Sequence, residues 1–303
     1  QLDMLYDFCE KVPYRCRILE FKKNYGVAAG RNKLFKEVQT EWIIAVDNDV
    51  YFVGNPLKKI QQDICQLGCH FMCLPTINQE HYDTFVYGGH LYLDNLNGHV
   101  NVGGGSVLIN PHVQVNIEHE PFLCTFISGC ANILKKDTFF YCGGYEEMFV
   151  GFEDTEFSVR VFQKGFKVGT CGVCCIIHDH PKPKNDADTH YEKQRFSVNY
   201  LQESAKVFEK KHGFAVWNPN VAKWINQRRD ELISEREPGK TGLASSDEKP
   251  GVALIVDKPD WALDHIAKQV QKNLASFYDF KIIYLKDFDN LAEVLMLAED
   301  CKI

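Results

Sequence analysis

The chain has 303 residues, of which 45% are apolar, 25% charged and 13% aromatic, enough to build one large domain or two smaller ones and too rich in apolar residues for a disordered or fibrous chain. No apolar run approaches the roughly 18 to 20 residues that a bilayer span needs, and no basic start followed by an apolar core opens the chain, so neither a membrane span nor a signal peptide is expected. With 34 Lys and Arg against 41 Asp and Glu the net charge is -7, which sets phosphate-rich partners at a disadvantage and argues against nucleic-acid binding.

Residues 2–11 read as a helix, and Arg17-Ile18-Leu19-Glu20-Phe21 reads as a strand. Residues 27–38, after Gly26, have the Ala, Lys, Leu and Glu content of a helix. Glu41 to Val46 is a continuous apolar run that reads as a strand buried on both faces. Asn55-Pro56 starts a turn before a helix over residues 57–67. His70 to Leu74 is the next strand, which Pro75 ends.

Residues 78–116 are rich in Gly, His, Asn and Tyr, and their alternating apolar positions predict short antiparallel strands and substrate-facing loops. Ala131-Asn132-Ile133-Leu134 is strand-like and leads to the turn Cys142-Gly143-Gly144-Tyr145. The helix that follows can be capped by Asp154, has Phe157 and Val161 on one face, and can close at Gly165 in the left-handed conformation. Residues 167–177 then read as a strand and 191–211 as one long helix with Tyr200, Ala205 and Phe208 among its apolar positions.

Residues 228–250 change character, with Ser, Glu, Lys, Gly and Pro dominating, and read as a linker. Beyond it a strand at 252–256, an amphipathic helix at 261–274 and a strand at 280–285 form the start of a second α/β domain. The domain layout expected is therefore 1–227, a linker over 228–250, and 251–303.

The 12 cysteines sit mostly inside apolar runs such as Phe71-Met72-Cys73-Leu74, where they read as small buried hydrophobes. The chain has no Asn-x-Ser/Thr site, which fits a cytoplasmic protein. Cys65, Cys69 and Cys73 with His70, and Cys171, Cys174 and Cys175 with His178, allow a rival reading as a zinc-stabilised α/β domain.

Three groups of residues carry chemistry. The strand ending Ala45-Val46-Asp47-Asn48-Asp49 delivers two carboxylates to the carboxyl end of a sheet strand, where ligands of open α/β sheets bind, and such oxygens suit a hard divalent cation beside a nucleotide diphosphate. Glu153-Asp154 opens a helix beside Phe152. There the helix dipole lowers a carboxylate's pKa and apolar packing raises it, a balance suited to a general base. Ile177-His178-Asp179-His180 ends a strand with two histidines that alternation puts on one face.

Together with Asn24-Tyr25-Gly26-Val27-Ala28-Ala29-Gly30-Arg31-Asn32, these segments resemble, over roughly residues 14–212, the family-2 group of inverting glycosyltransferases with the glycosyltransferase-A fold, a Rossmann-like mixed sheet flanked by helices. The resemblance implies that Asp49 binds Mn²⁺ or Mg²⁺ on the donor diphosphate, with Asp47 nearer the ribose or the metal shell and either His178 or His180 completing the site. It implies that Asp154 deprotonates the acceptor hydroxyl while Glu153 orients a sugar, that Ser128-Gly129 lies against the donor sugar, and that Arg31 lies near the nucleotide. The implied partners are a nucleotide-sugar donor, of the UDP-sugar kind, and a glycan or glycolipid acceptor. The acceptor would bring the protein to the inner face of the membrane during surface polysaccharide synthesis in a bacterium.

The likeness departs from the family at the start, where relatives carry strands that hold the nucleobase, so the chain reads as the catalytic domain without them. The end, around Val256-Asp257-Lys258-Pro259, weakly resembles the opening of a second glycosyltransferase module, and any βαβ domain would read alike. Two rivals keep part of the pattern: a non-catalytic nucleotide-sugar or carbohydrate-binding module, which would tolerate loss of Asp154, and a nucleotidyltransferase. The latter needs a phosphate-cradling Gly-rich loop near the start, and none is seen there.

Overall fold

A computed structural model describes residues 2–78, 85–96, 98–109, 116–148, 150–178, 183, 186–234, 249, 251–287, 294, 298 and 301. The chain divides into two compact units, residues 1–233 and 234–303. The first runs α1 (Leu2–Lys11), α2 (Val27–Glu37), β1 (Trp42–Val46), β2 (Val50–Phe52), α3 (Leu57–Leu67), β3 (Phe71–Cys73), β4 (Thr76–Asn78), β5 (Phe85–Leu96), β6 (His99–Ile109), β7 (Phe122–Cys124), β8 (Ala131–Lys135), α4 (Lys136–Tyr141), α5 (Glu153–Gln163), β9 (Val168–Thr170), β10 (Ile176–His178), α6 (Asp186–Arg195), α7 (Val198–His212) and α8 (Pro219–Ser234). The second holds β11 (Gly251–Val256), α9 (Ala262–Leu274) and β12 (Asp279–Tyr284), the two strands pairing in parallel.

The first unit is a mixed α/β structure with two five-stranded sheets, ordered β1-β8-β3-β9-β7 and β2-β10-β4-β5-β6. Alternation along β3 sends Phe71 and Cys73 into one core with Phe35, Phe139 and Phe157, and Met72 with its neighbour Leu74 into another with Ile60, Ile133 and Ile176. Helices thus cover both faces of the first sheet, as the resemblance implies. Phe71, Phe139 and Phe157 are fully buried, and Phe157 stands 5.5 Å from Phe71 and 5.0 Å from Phe139 between ring centres. Each such ring contributes about 1.5–3 kcal/mol of transfer free energy.

Local signals explain the helix ends. Gly68 closes α3 in the left-handed conformation, its amide donating to Ile64 O. Gly165, at φ 74, follows α5 in the same way, with the next amide, Phe166, donating to Val161 O. Phe157 and Val161 are both fully buried on one face of that helix.

Several expectations are corrected. Residues 17–21 form no strand: no described strand pairs with them, and Arg17 reaches out to Glu37 at 2.8 Å. β1 is buried on one face only, since it lies at the sheet edge and Ile44 and Val46 are 39% and 43% exposed. Residues 78–116 hold one long hairpin, β5 against β6, with a bulge between Tyr87 and Gly89. Its glycines allow close packing, because a Cβ on Gly103 would fall 2.1 Å from the Tyr92 ring and one on Gly104 2.5 Å from Phe126.

Residues 167–177 are two strands in different sheets. Gly172 interrupts them where its amide donates to Asp63 Oδ2 (2.7 Å) and its missing side chain leaves room for His119 O. The long helix expected at 191–211 breaks between α6 and α7 at Phe196 and Ser197, leaving Tyr200 exposed while Ala205 and Phe208 are buried. α8 continues through Ser234, over the first residues of the segment expected as linker.

Candidate active site

Strand pairing brings the first part of the site together. The register of β10 with β2 sets His178 opposite Val50, the residue after Asp49. His178 Nε2 lies 3.4 Å from Asp49 Oδ1, and one ligand atom from each of Asp47, Asp49 and His178 falls within 4.8 Å of the others. Two carboxylates and an imidazole form a donor set that suits a divalent cation. Among the described residues no other such group of metal-ligating side chains occurs, and this one contains no cysteine.

The zinc reading is therefore corrected. All 12 cysteines are free of disulfides, and burial pushes the thiols of Cys171 and Cys174 up to about 12. His180 lies outside the described residues.

The pairing of β1 with β8 assembles the second part. Val46 faces Ala131, and the Asp47 amide donates to Cys130 O at 2.9 Å, which lays Ser128-Gly129-Cys130 along the strand end. The segment is fixed from below: Asn132 Nδ2 donates to Ser128 O (2.8 Å), the Ile127 amide donates to Ser158 Oγ (2.9 Å), and that hydroxyl donates to Asp154 O (2.7 Å). A Cβ on Gly129 would stand 3.4 Å from Arg31 Nη1 and 3.6 Å from Asp154 Oδ2, so the guanidinium and the carboxylate flank the same glycine.

Arg31 rises from the first turns of α2 and donates through Nη2 to Asp47 Oδ1. Burial works against its charge, but Tyr145, Asp47 and Glu153 outweigh that cost and hold the guanidinium above its ordinary value. Its Nη1 is buried and makes no hydrogen bond within the described protein. The carbon of its guanidinium sits 6.0 Å from the Tyr145 ring centre.

Asp154 is not the helix cap expected from sequence. The cap position is Phe152, in the left-handed conformation at φ 65, and Asp154 lies one residue into the first turn with Oδ1 accepting the Thr155 amide at 2.8 Å. Burial is the main force on its carboxyl, the charge of Glu153 adds to it, and the Thr155 amide and Arg31 oppose them; the outcome is a pKa pushed up to about 7. Glu153 stands next to it at the start of α5, near enough to act on the charges of both Asp154 and Arg31.

The sequence reading gave no role to the residues that hold this arrangement. Asn32, beside Arg31 on α2, clamps Tyr145 from both sides: Nδ2 donates to Tyr145 O (2.8 Å) and Oδ1 accepts its amide (2.9 Å). Arg160 donates to Cys142 O and to Gly144 O (2.6 Å) while bound to Glu156, which also meets His212 (2.9 Å) and Lys211 (3.0 Å). Burial disfavours the Glu156 charge, yet Arg160, Lys211 and His212 together hold its pKa below the ordinary value. The i,i+4 spacing of Glu156 and Arg160 was the available signal; nothing local announced that both would be buried.

The family model described as glycosyl transferase family 2 matches residues 2–112. No curated protein matches the chain. Among solved structures, the chain is similar to the crystal structure of GalNAc-T7 with UDP, GalNAc and Mn²⁺, at 14% identity and TM-score 0.45, over 78% of this chain and 49% of that one. It is similar also to S. aureus TarS 1-349 in complex with UDP, at 12% identity and TM-score 0.42, over 77% of this chain and 57% of that one. The complex of TarS with UDP-GlcNAc gives 12% identity and TM-score 0.42, over 77% and 58%. The chain thus spans about half to three fifths of these solved chains. Among the described residues no helix is long and apolar enough to cross a membrane. The stretch that matches the family model is the one that delivers Arg31, Asp47 and Asp49.

Proposed function

We propose that the protein is a metal-dependent inverting glycosyltransferase that moves a sugar from a nucleoside-diphosphate donor, of the UDP-sugar kind, to a saccharide hydroxyl. The observation that carries this reading is the convergence on Gly129 of Arg31, paired to Asp47 at the metal-ligating group, and Asp154, whose pKa is near neutrality. A leaving-group side and a base side thus meet at one small residue with no side chain of its own. The family match over residues 2–112 supports the transferase reading, and the UDP-sugar donor is the one that the resemblance implies.

Asp49, Asp47 and His178 would hold the divalent cation. When bound there, the ion supplies positive charge to the diphosphate leaving group. Arg31, with Nη1 free of any protein acceptor, adds a fixed cation on the same side, and its partner Asp47 keeps it aimed. On the other side Asp154 takes the proton of the acceptor hydroxyl as its oxygen forms the new bond to the anomeric carbon and the bond from that carbon to the diphosphate breaks. Attack opposite the leaving group inverts configuration, and no protein nucleophile is needed. Glu153 orients the sugar, and Ser128-Gly129 lines its place. Surface polysaccharide assembly, at the inner face of the membrane, is the setting that the resemblance implies.

Calorimetry of UDP with Mn²⁺, and again with the metal chelated, tests the donor site on this chain and on Asp49→Ala. Binding should require both the metal and Asp49, the variant falling below detection. Metal-independent UDP binding of equal strength in both proteins would overturn the assignment, and NMR of the product's anomeric proton checks inversion.

A further inference from the structure

Among the described residues of the first unit, a concave feature away from the donor side has the chemistry of a binding site. It is a cleft of about 390 Å³ between the start of β6 and the segment joining α7 to α8, lined among others by His99, Asn101, Glu209, Phe214, Trp217 and Asn218. The volume lies within the roughly 300–1,000 Å³ common for small-molecule sites.

Its walls are fixed before any ligand arrives. The Val102 amide donates to Ala215 O (2.8 Å) and the Ala215 amide to Val100 O (3.0 Å), so residues 100–102 and 215 form a short ladder under the cleft. Phe214 is held against Phe208 at 5.7 Å and His212 at 5.6 Å. Asn101 is only 5% exposed; its Nδ2 donates to His99 O (3.2 Å), while its Oδ1 is buried and accepts no hydrogen bond. A buried amide oxygen left without a donor costs free energy, so a site that keeps one gains when a ligand hydroxyl supplies the donor.

Trp217 ties this cleft to the base. Its ring stands edge-on to Phe152 with centres 6.5 Å apart, and Phe152 is the left-handed residue directly before Glu153 and Asp154. Phe152 O accepts the Glu156 amide at 2.8 Å, the first bond of α5, so the ring that Trp217 touches belongs to the turn that sets Asp154. An aromatic face, an unmet amide oxygen and further polar side chains around a preformed cleft are what a sugar ring recognises, stacking its C–H face and donating from its hydroxyls. Among the described residues Glu209 is the carboxylate that lines the cleft, and it disfavours an anionic ring.

We propose that this cleft is the acceptor subsite, which holds a neutral sugar ring of the acceptor with Trp217 as its stacking face and Asn101 Oδ1 as a hydrogen-bond acceptor. The proposal rests on the transferase reading, and its test separates the two. Saturation-transfer NMR on the full chain, with the methyl β-glycosides of N-acetylglucosamine, N-acetylgalactosamine, galactose and glucuronic acid, measures sugar binding. Calorimetry of UDP with Mn²⁺ on the same samples measures the donor side.

At least one neutral glycoside should bind and the glucuronide should not. Trp217→Ala should weaken that binding about tenfold and Asn101→Ala about threefold to tenfold, with donor binding retained. Trp217→Phe keeps the packing on Phe152 and should weaken sugar binding about twofold to threefold. Donor binding by each variant shows that it is folded. Intact donor binding with no neutral glycoside bound, or with sugar affinity unchanged in Trp217→Ala and Asn101→Ala, would overturn the subsite. Loss of donor binding in the unmodified chain would instead overturn the transferase reading.

Discussion

Two sets of carboxylates in this protein have opposite surroundings. Asp47 and Asp49 leave the end of β1 and meet cationic or ligating partners at once, Asp47 through Arg31 and Asp49 through His178. Asp154 enters a helix beside Glu153 and is partly buried, so its proton is held to a pH near 7. The same side chain thus suits a cation in one place and a hydroxyl proton in the other, and the difference comes from the neighbours that each backbone position selects.

Replacing the base breaks the comparison most severely. Asp154→Asn keeps the shape of the α5 turn and removes the proton acceptor, so kcat should fall about 10²–10⁴-fold while UDP binding with Mn²⁺ stays within a factor of two to three of the unmodified chain. A variant with full turnover would count against the base assignment.

The pH profile sharpens it next. Asp154 acts as a base only when ionised, so kcat/KM should rise with pH up to about 7 and then level off. The linked stability runs the other way. The folded pKa of about 7 lies above the ordinary 3.8, so the folded state holds this proton more tightly; the contribution is full below about pH 4 and is lost as pH rises through 7. Thermal melts between pH 4 and 8 should show the unmodified chain losing stability toward pH 8 relative to Asp154→Asn. Equal slopes would mean that the carboxyl is not raised.

The smallest effect is expected at the residue that joins the two sides. Arg31→Lys keeps the charge but loses the fork that serves Asp47 while leaving Nη1 for the donor, so the donor KM should rise about tenfold with little change in kcat. An unchanged KM would place Arg31 outside the donor contacts.

What the sequence revealed and what it hid follow from the range of the interactions. The strand ending in Asp47 and Asp49, the α3 helix after Asn55-Pro56, and the βαβ start after residue 250 depend on local periodicity and turn chemistry, and each was readable. The β5–β6 hairpin was readable only as short antiparallel strands, because Gly103 and Gly104 make room for the rings of Tyr92 and Phe126 and blur the alternation of one long strand. The division between β9 and β10 depends on Asp63 and His119 reaching Gly172, and neither is near it in the chain. At the site, the motif residues were legible as types at particular spacings. Their frame was not: Asn32 on Tyr145 and Arg160 on the Gly144 turn are contacts between remote segments, visible only once the chain is folded.

The pairing of β1 with β8 has a consequence for how the protein acquires its chemistry. Val46 meets Ala131 only after the long intervening chain, including the whole hairpin, has been brought back upon itself. Closing so large a loop is entropically slow, and no helix or hairpin formed earlier contains more than a fragment of the site. The set of Arg31, Asp47, Gly129 and Asp154 is therefore complete only once this pairing has closed. A partly folded chain would be inert, and its chemical competence would mark completion of the sheet.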